Sequence, residues 1–287
     1  MTLTPTRLGS LHVRTLGSGP PALLWHSLFV DSTTWARVEN RLAQSRTLLL
    51  VDGPCHGGNP PPTRRFTLDH CVGVAEDVLD HLGIDEPVDW LGNAWGGHVG
   101  ILFAAAHPRR CRTLAAVGAP IPALTPAERR RVRSLTVLYL LVGARPIRSL
   151  LVDVLLGPDA RAADPAGAAL VGDAFRRARR TDMLHAVSAL SLARPNLTPV
   201  LATIETPTLL TTGPADPMWT VADAKTAAHR LRNGSLVLFP AAGHVGPLIR
   251  APELLADLVT AFWRDPAATL ETFGGAAFEG RDPGTEH

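Results

Sequence analysis

Residues 88–97 read VDWLGNAWGG, and this stretch decides how the rest of the chain is interpreted. The apolar run over 87–91 predicts a buried strand, and residues 97–107 predict a helix. Glycines stand on both sides of the turn between them, at Gly92, Gly96 and Gly97. These small residues allow a tight turn with Ala94 at its apex. A strand that turns directly into a helix is the building unit of folds with a parallel sheet.

The same alternation of short apolar runs and amphipathic helical patterns continues along the chain. Seven runs predict strands, at 11–16, 22–25, 47–51, 88–91, 113–117, 208–212 and 236–239. The alternation predicts an α/β fold with a mostly parallel central sheet flanked by helices. It is interrupted over 121–204, where the composition is helical and no strand is convincing. This segment predicts a helical cap that is inserted between two strands and lies over the sheet.

The predicted organisation therefore has four parts. A first core part covers residues 1–120, the cap covers 121–204, and a second core part covers 205–266. Residues 267–287 contain several glycines and are expected to be a disordered tail.

Composition limits the partners that we expect. The formal net charge of +2 over 287 residues gives no electrostatic case for binding nucleic acid. Arginine clusters at 129–133 and 176–180 are interpreted as solvated helix faces rather than as an anion site. No apolar segment is continuous enough to span a bilayer, so no membrane partner is expected. We expect the protein to bind a small lipophilic substrate. We expect it to be a monomer or a homodimer.

The cysteines and the first residues bear on location and metal binding. The three cysteines, Cys55, Cys71 and Cys111, are widely spaced and form no metal-ligand pattern. The first residues show no charged region followed by an apolar run, so no signal peptide is expected. A cytoplasmic protein without a metal or a cofactor is predicted.

Four further segments are informative because of their order along the chain. They read WHSLFVD at 25–31, DGPCHGG at 52–58, GPAD at 213–216 and AGH at 242–244. Together with residues 88–97 they resemble the α/β-hydrolase superfamily in its capped, esterase- and lactonase-like branch. The resemblance implies the α/β-hydrolase fold from about residue 11 to residue 263. It also implies that the residue at the apex of the turn is normally the nucleophile. In this sequence that residue is Ala94.

Asp216 and His244 are the candidate acid and base. Each follows a predicted strand, at 208–212 and 236–239, and ligand sites of open α/β sheets gather at such strand ends. A buried carboxylate there can accept the Nδ1 proton of a histidine and fix its tautomer. The resemblance implies one alternative position for the acid, after the strand over 113–117; the segment 118–120 there has no carboxylate, which favours Asp216. The alternatives are a helix-capping aspartate and a surface histidine.

The resemblance also implies an oxyanion hole made by the backbone N–H groups of Leu28 and Trp95. The candidate substrate-binding residues are His26, Ser27, Asn93 and Trp219. We expect His26 to brace its loop by hydrogen bonds rather than to transfer protons.

Ala94 leaves three interpretations open. In the first, alanine replaces a serine, by an introduced change or a natural loss, in a hydrolase of a lipophilic ester or lactone. In the second, alanine is native, and the His244–Asp216 pair acts as a general base in lyase, cyclase or cofactor-free oxygenase chemistry. In the third, the chain binds small apolar ligands without catalysis.

Overall fold

Eight strands form a single, mostly parallel sheet in a computed structural model that describes residues 2–239 and 243–274. The strands are β1 (Thr2–Thr4), β2 (Leu11–Leu16), β3 (Pro21–Trp25), β4 (Thr47–Val51), β5 (Val88–Asn93), β6 (Cys111–Val117), β7 (Thr208–Thr212) and β8 (Gly234–Leu238). Their order across the sheet is β1-β2-β4-β3-β5-β6-β7-β8. The β1/β2 and β2/β4 pairs are antiparallel and the other pairs are parallel. The predicted fold class is therefore confirmed.

Helices cover both faces of the sheet. They are α1 (Glu39–Leu42), α2 (Leu68–His81), α3 (Trp95–Ala106), α4 (Pro126–Val142), α5 (Ala144–Leu156), α6 (Ala160–Ala163), α7 (Pro165–Arg177), α8 (Arg180–Ala186), α9 (Thr198–Leu201), α10 (Val221–Ala228), α11 (Gly246–Ile249), α12 (Pro252–Arg264) and α13 (Pro266–Gly274). A 3₁₀ turn at Ser32–Trp35 and a π-helical turn at Val187–Leu192 complete the set. None of the helices in the described part of the chain is long and apolar enough to cross a membrane.

Strand side chains divide the core in two because successive residues of a strand point to opposite faces. In β3, Leu23 and Trp25 belong to one buried cluster, whereas Ala22 and Leu24 belong to the other. A strand buried on both faces reads as an unbroken apolar run, which explains why the sequence pattern is so legible.

The insertion between β6 and β7 contains helices only, over a segment that the structure describes in full. Arg194 joins its two ends, because the guanidinium donates to the carbonyl oxygens of Pro120 at 2.6 Å and Pro122 at 2.7 Å. Burial lowers the pKa of Arg194 to about 10. Its carbonyl partners carry partial negative charge in place of a carboxylate. The division of the chain into domains at 120 and 204 stays a prediction.

The expectation of a disordered tail is wrong for its first part. Residues 266–274 form α13, and Leu270 is buried in the cluster that contains Phe262. The backbone oxygen of Leu270 also accepts a hydrogen bond from Ser235 Oγ at 3.0 Å. The sequence pattern missed this helix because the glycines that follow it dominate the composition. Residues 275–287 lie outside the described part of the chain.

Candidate active site

The turn at the end of β5 adopts a strained conformation at its apex. Ala94 has φ 51° and ψ −113°, and α3 begins at the next residue. Backbone angles in such a sparsely populated region cost a residue with a side chain about 1–3 kcal/mol. The surrounding fold therefore imposes this geometry on Ala94.

Two glycines make this turn sterically feasible. A Cβ atom at Gly92 would clash with the carbonyl oxygen of Gly96. A Cβ atom at Gly96 would clash with the carbonyl oxygen of Trp25 at the end of β3. The turn is therefore packed directly against the loop that follows β3.

Asp216 and His244 form a buried pair at the ends of the neighbouring strands β7 and β8. The Nδ1 atom of His244 lies 3.0 Å from Oδ2 and 3.2 Å from Oδ1 of Asp216. The side chain of His244 is 5% exposed and that of Asp216 is 1% exposed, so water does not compete for this contact. In a neutral imidazole, an Nδ1–H that donates to the carboxylate fixes the tautomer in which Nε2 can accept a proton.

Asn93 and Gly118 bring the His244 loop against the turn at Ala94. The Asn93 amide donates to the backbone oxygen of His244 at 3.1 Å and to that of Val117 at 2.9 Å. Gly118 has φ 56°, and a Cβ atom there would lie 2.7 Å from the His244 oxygen and 3.5 Å from Asp216 Oδ2. The absence of a side chain at Gly118 thus lets the His244 loop approach the end of β6.

The two predicted oxyanion donors belong to two segments that pack against each other, the loop after β3 and the start of α3. Leu28 and Trp95 are 9% and 1% exposed. Neither backbone N–H has an acceptor among residues 2–239 and 243–274. Phe29, immediately after Leu28, has a positive φ of 75°, so this loop is strained as well. Their role as oxyanion donors stays a prediction.

Two neutral histidines support the ring of Trp95. The N–H of Gly53 donates to Nε2 of His26 at 2.9 Å, so Nδ1 carries the proton and donates to the Ser27 oxygen at 2.7 Å. His56 stacks on Trp95 with ring centroids 5.3 Å apart. Burial lowers the pKa of His26 to about 4 and the pKa of His56 to about 3. These hydrogen bonds give His26 a bracing position.

An ion pair joins the insertion to the loop that follows Leu28. The guanidinium of Arg177, at the end of α7, donates to both oxygens of Asp31 at 2.7 and 2.9 Å and to Thr33 Oγ1 at 2.6 Å. The ring of Phe175 also meets that of Phe29 edge-on at 6.3 Å. Asp31 is 1% exposed, so Arg177 compensates a buried charge. We call the Asp31–Arg177 contact the loop clamp.

The remaining predicted binding residues are buried. Ser27 is 1% exposed, and its hydroxyl donates to the Leu28 oxygen at 3.3 Å. Trp219 is 1% exposed within the same apolar cluster as Trp95 and Leu28. Contacts of Ser27, Asn93, Trp219 and His26 with a substrate stay predictions.

Cys55 does not take the place of the missing nucleophile. Cys55 is buried near the site, and burial raises the pKa of its thiol to about 12. The thiol is therefore protonated at neutral pH and unreactive. Groups of three or more His, Cys, Asp or Glu side chains that could hold a metal ion are absent from the part of the chain described.

Sequence reasoning missed Gly118, Asp31 and Arg177. The glycine that begins the segment 118–120 was a usable signal, because glycine after a strand often marks a close approach of two backbones. The loop clamp joins residues 146 positions apart and has no local signal.

The chain is similar to known proteins over most of its length. The model of the alpha/beta hydrolase family matches residues 22–258. A pimeloyl-[acyl-carrier protein] methyl ester esterase of Chromobacterium violaceum is 29% identical over 243 residues, which cover 82% of this chain and 91% of the relative. A 2-hydroxymuconate semialdehyde hydrolase of a Pseudomonas species is 34% identical over 110 residues, 36% of this chain and 37% of that enzyme.

Solved structures show the same fold at lower identity. An esterase from Thermogutta terrifontis superposes with a TM-score of 0.83 at 20% identity, covering 93% of this chain and 98% of that one. An enol-lactonase from Burkholderia xenovorans gives 0.82 at 22% identity, covering 92% and 99%. The extent of the family match and the order of the sheet lead to one conclusion: the chain belongs to the α/β hydrolase family.

Proposed function

We propose that this chain carries the acid, base and oxyanion groups of a serine-type hydrolase of a lipophilic ester or lactone, with Ala94 at the position of the nucleophile. The observation that carries the proposal is the buried Asp216–His244 contact at 3.0 Å, held beside the turn at Ala94 by Asn93. Relatives that are named as a methyl ester esterase and an enol-lactonase support the substrate class.

The missing side chain decides which chemical steps are available. A serine at 94 would pass its proton to His244, attack the acyl carbon and form an acyl-enzyme that water then hydrolyses. The methyl group of Ala94 forms no such bond. In the unmodified chain His244 can take a proton only from water or from the substrate, while Leu28 and Trp95 N–H stabilise the resulting oxyanion.

The test is Ala94→Ser, assayed with short p-nitrophenyl esters. We expect hydrolysis to rise at least about a thousandfold over the unmodified chain, because removal of a catalytic serine costs that much or more. Adding His244→Ala to Ala94→Ser should remove the gain. A folded Ala94→Ser protein with no gain would reject the serine-type proposal.

A second function is favoured by the intact His244–Asp216 pair in a chain that has no nucleophile at 94. This function is general-base catalysis by the native alanine protein, as in lyase, cyclase or cofactor-free oxygenase reactions. Proton abstraction from 5-nitrobenzisoxazole, a small apolar C–H acid, measures such a base directly. Turnover by the unmodified chain that His244→Ala abolishes would support it.

The same assays distinguish a binding protein from both enzymes. If neither Ala94→Ser nor His244→Ala changes any turnover, while an apolar dye still binds, the chain is a non-catalytic binder of small apolar ligands.

A further inference from the structure

The outer face of the insertion exposes an unusual amount of apolar surface. Its large exposed apolar side chains are Leu135, Val137, Leu138, Leu141, Val142 and Leu150. Leu141, in the last turn of α4, is 75% exposed. Tyr139 on the opposite side of α4 is 4% exposed, so the helix is already packed on the protein by its other face. We call the exposed side of residues 130–150 the outer cap face.

The outer cap face carries positive charge without any acidic residue. Between Glu128 and Asp153 the sequence has six arginines and no carboxylate. Two of them have partners, because Arg129 donates to the Leu192 oxygen and Arg148 pairs with Asp173. The other four are Arg130, Arg131, Arg133 and Arg145, and all four are exposed. Within the described residues they form no ion pair or side-chain hydrogen bond.

Apolar and cationic side chains are arranged along one stripe. Arg131, Leu135, Leu138 and Val142 recur at helical spacing on α4 and share its exposed side. The leucines lie towards the corner at Gly143, where α4 ends and α5 begins. Arg131 lies about three turns back along the helix from that corner, and Arg145 lies just beyond it. The apex of the face is therefore apolar and its borders are cationic.

We propose that the outer cap face docks the protein on the surface of an anionic lipid bilayer. Leucines at the corner would enter the boundary between headgroups and acyl chains, while the bordering arginines would contact lipid phosphates. Surface docking needs no spanning segment. The absence of such a segment, on which the expectation of no membrane partner rested, therefore does not oppose it.

Charge and shape favour a bilayer over two other occupants. In a symmetric dimer the same face would meet itself, and arginines would meet arginines with no carboxylate available between 128 and 153. An acidic protein would compensate the charge. However, the most exposed leucine, Leu141, is 75% exposed in the last turn of α4, beside the corner where α5 begins, and a leucine exposed at a corner between two helices suits insertion into a penetrable surface better than burial in the core of a protein interface.

The test is co-sedimentation of the full chain with vesicles of phosphatidylcholine alone and of phosphatidylcholine mixed with phosphatidylglycerol. We expect binding to the mixed vesicles, weaker binding at high salt, and little binding to phosphatidylcholine alone. The pair Leu138→Glu and Leu141→Glu should abolish binding. Arg130→Glu with Arg133→Glu should weaken binding at least about tenfold, because each arginine near an anionic surface contributes about 1 kcal/mol, which is about fivefold in affinity.

Matched controls lie elsewhere on the surface. Arg64 and Arg65 are exposed neighbouring arginines, and Leu3 is 52% exposed outside the insertion. Arg64→Glu with Arg65→Glu, and Leu3→Glu, should leave vesicle binding unchanged. All substituted positions are exposed, and circular dichroism would verify that each variant is folded.

Three outcomes would overturn the proposal. One is no binding to either vesicle. Another is a dimer, measured by light scattering, that Leu138→Glu with Leu141→Glu converts to a monomer, which would assign the face to a second copy. The last is binding to polyglutamate as tight as to mixed vesicles and insensitive to the leucine changes, which would assign it to an acidic polypeptide.

Discussion

His26 meets the ring of Trp95 edge-on, His56 stacks on that ring, and both histidines are neutral in the folded protein at neutral pH. Burial is the main cause, since it lowers the pKa of His26 to about 4 and that of His56 to about 3. His98, whose Nε2 faces the Pro120 oxygen at 2.8 Å, has a pKa lowered well below its usual value by the same cause. In the unfolded chain each of these histidines titrates near 6.5.

This difference predicts a loss of stability in mild acid. Below pH 6.5 the unfolded chain binds protons that folded His26 and His56 refuse until about pH 4 and 3. The contribution of these histidines to the free energy of unfolding is therefore fully present above pH 6.5. It falls as the pH is lowered towards 4, by at most about 1.4 kcal/mol per pH unit for each histidine. Urea unfolding across this range measures the slope.

A single substitution tests the cause of that slope. His56→Gln removes one of the three histidines whose pKa is lowered by burial and should reduce the slope by about a third. His229→Gln, at an exposed histidine, is the control and should leave the slope unchanged. An unaltered slope in His56→Gln would contradict the assignment.

The sequence predicts the positions of Asp216 and His244 because each follows an apolar strand, and the structure brings their side chains into contact at 3.0 Å. The same sequence does not reveal that Asn93 holds the His244 loop or that Gly118 gives it room. Both facts depend on which strand ends are neighbours in space, and local patterns carry no such information.

At the scale of elements, the loop clamp links α7 to the strained loop that carries Leu28. Asp31 also caps the 3₁₀ turn Ser32–Trp35, because its side chain accepts from the Thr33 N–H at 3.1 Å. The next residue, Ser32, donates its N–H to the buried Asp52 at 2.7 Å. One insertion helix therefore helps to hold the shape of a loop in the core.

Removing the cation should loosen that loop. Arg177→Met leaves Asp31 buried without its partner, so we expect a loss of about 1–3 kcal/mol in the free energy of unfolding. Hydrogen exchange should accelerate at the backbone amides of residues 28–35. Arg148→Met is the control. It removes an ion pair with Asp173, which lies on α7 like Arg177 but is much more exposed than Asp31, and it should cost less than about 1 kcal/mol. Equal exchange at 28–35 in the two variants would refute a clamp.

The elements themselves were largely predictable. The strand over 208–212 is confirmed at both ends, and the strand predicted over 88–91 extends two residues further, through Gly92 to Asn93. The short edge strand β1 at Thr2–Thr4 was missed because three residues are too few to show a period. Propensity and periodicity act within a few residues, which is why they locate elements better than contacts between them.

At the scale of the whole molecule, the last helix of the described residues, α13, packs against the sheet at β8. Leu270 of α13 is 8% exposed among residues of α12 and β8, and its backbone oxygen is bonded to Ser235. Burial of one leucine contributes about 1.5–3 kcal/mol, and a buried hydrogen bond adds about 1 kcal/mol.

Truncation should therefore separate α13 from the residues that follow it. A chain ending at residue 265 should melt about 5–15 °C below a chain ending at residue 274, because 1 kcal/mol corresponds to about 2–4 °C for a domain of this size. Differential scanning calorimetry makes the comparison. Leu270→Ala in the longer chain should reproduce part of the loss, and identical melting of the two truncated chains would show that α13 does not stabilise the fold.

The sequence by itself determined the fold class, since strands buried on both faces are unbroken apolar runs and the Gly-rich turn at 92–97 fits a strand that passes directly into a helix. It also determined which residues stand at strand ends. Only the tertiary structure decided that the loops of His244, Asp216 and Asn93 converge over Gly118, and that Arg177 reaches Asp31. These contacts join residues far apart in the chain, and their free energy exists only after the sheet has brought the strand ends together.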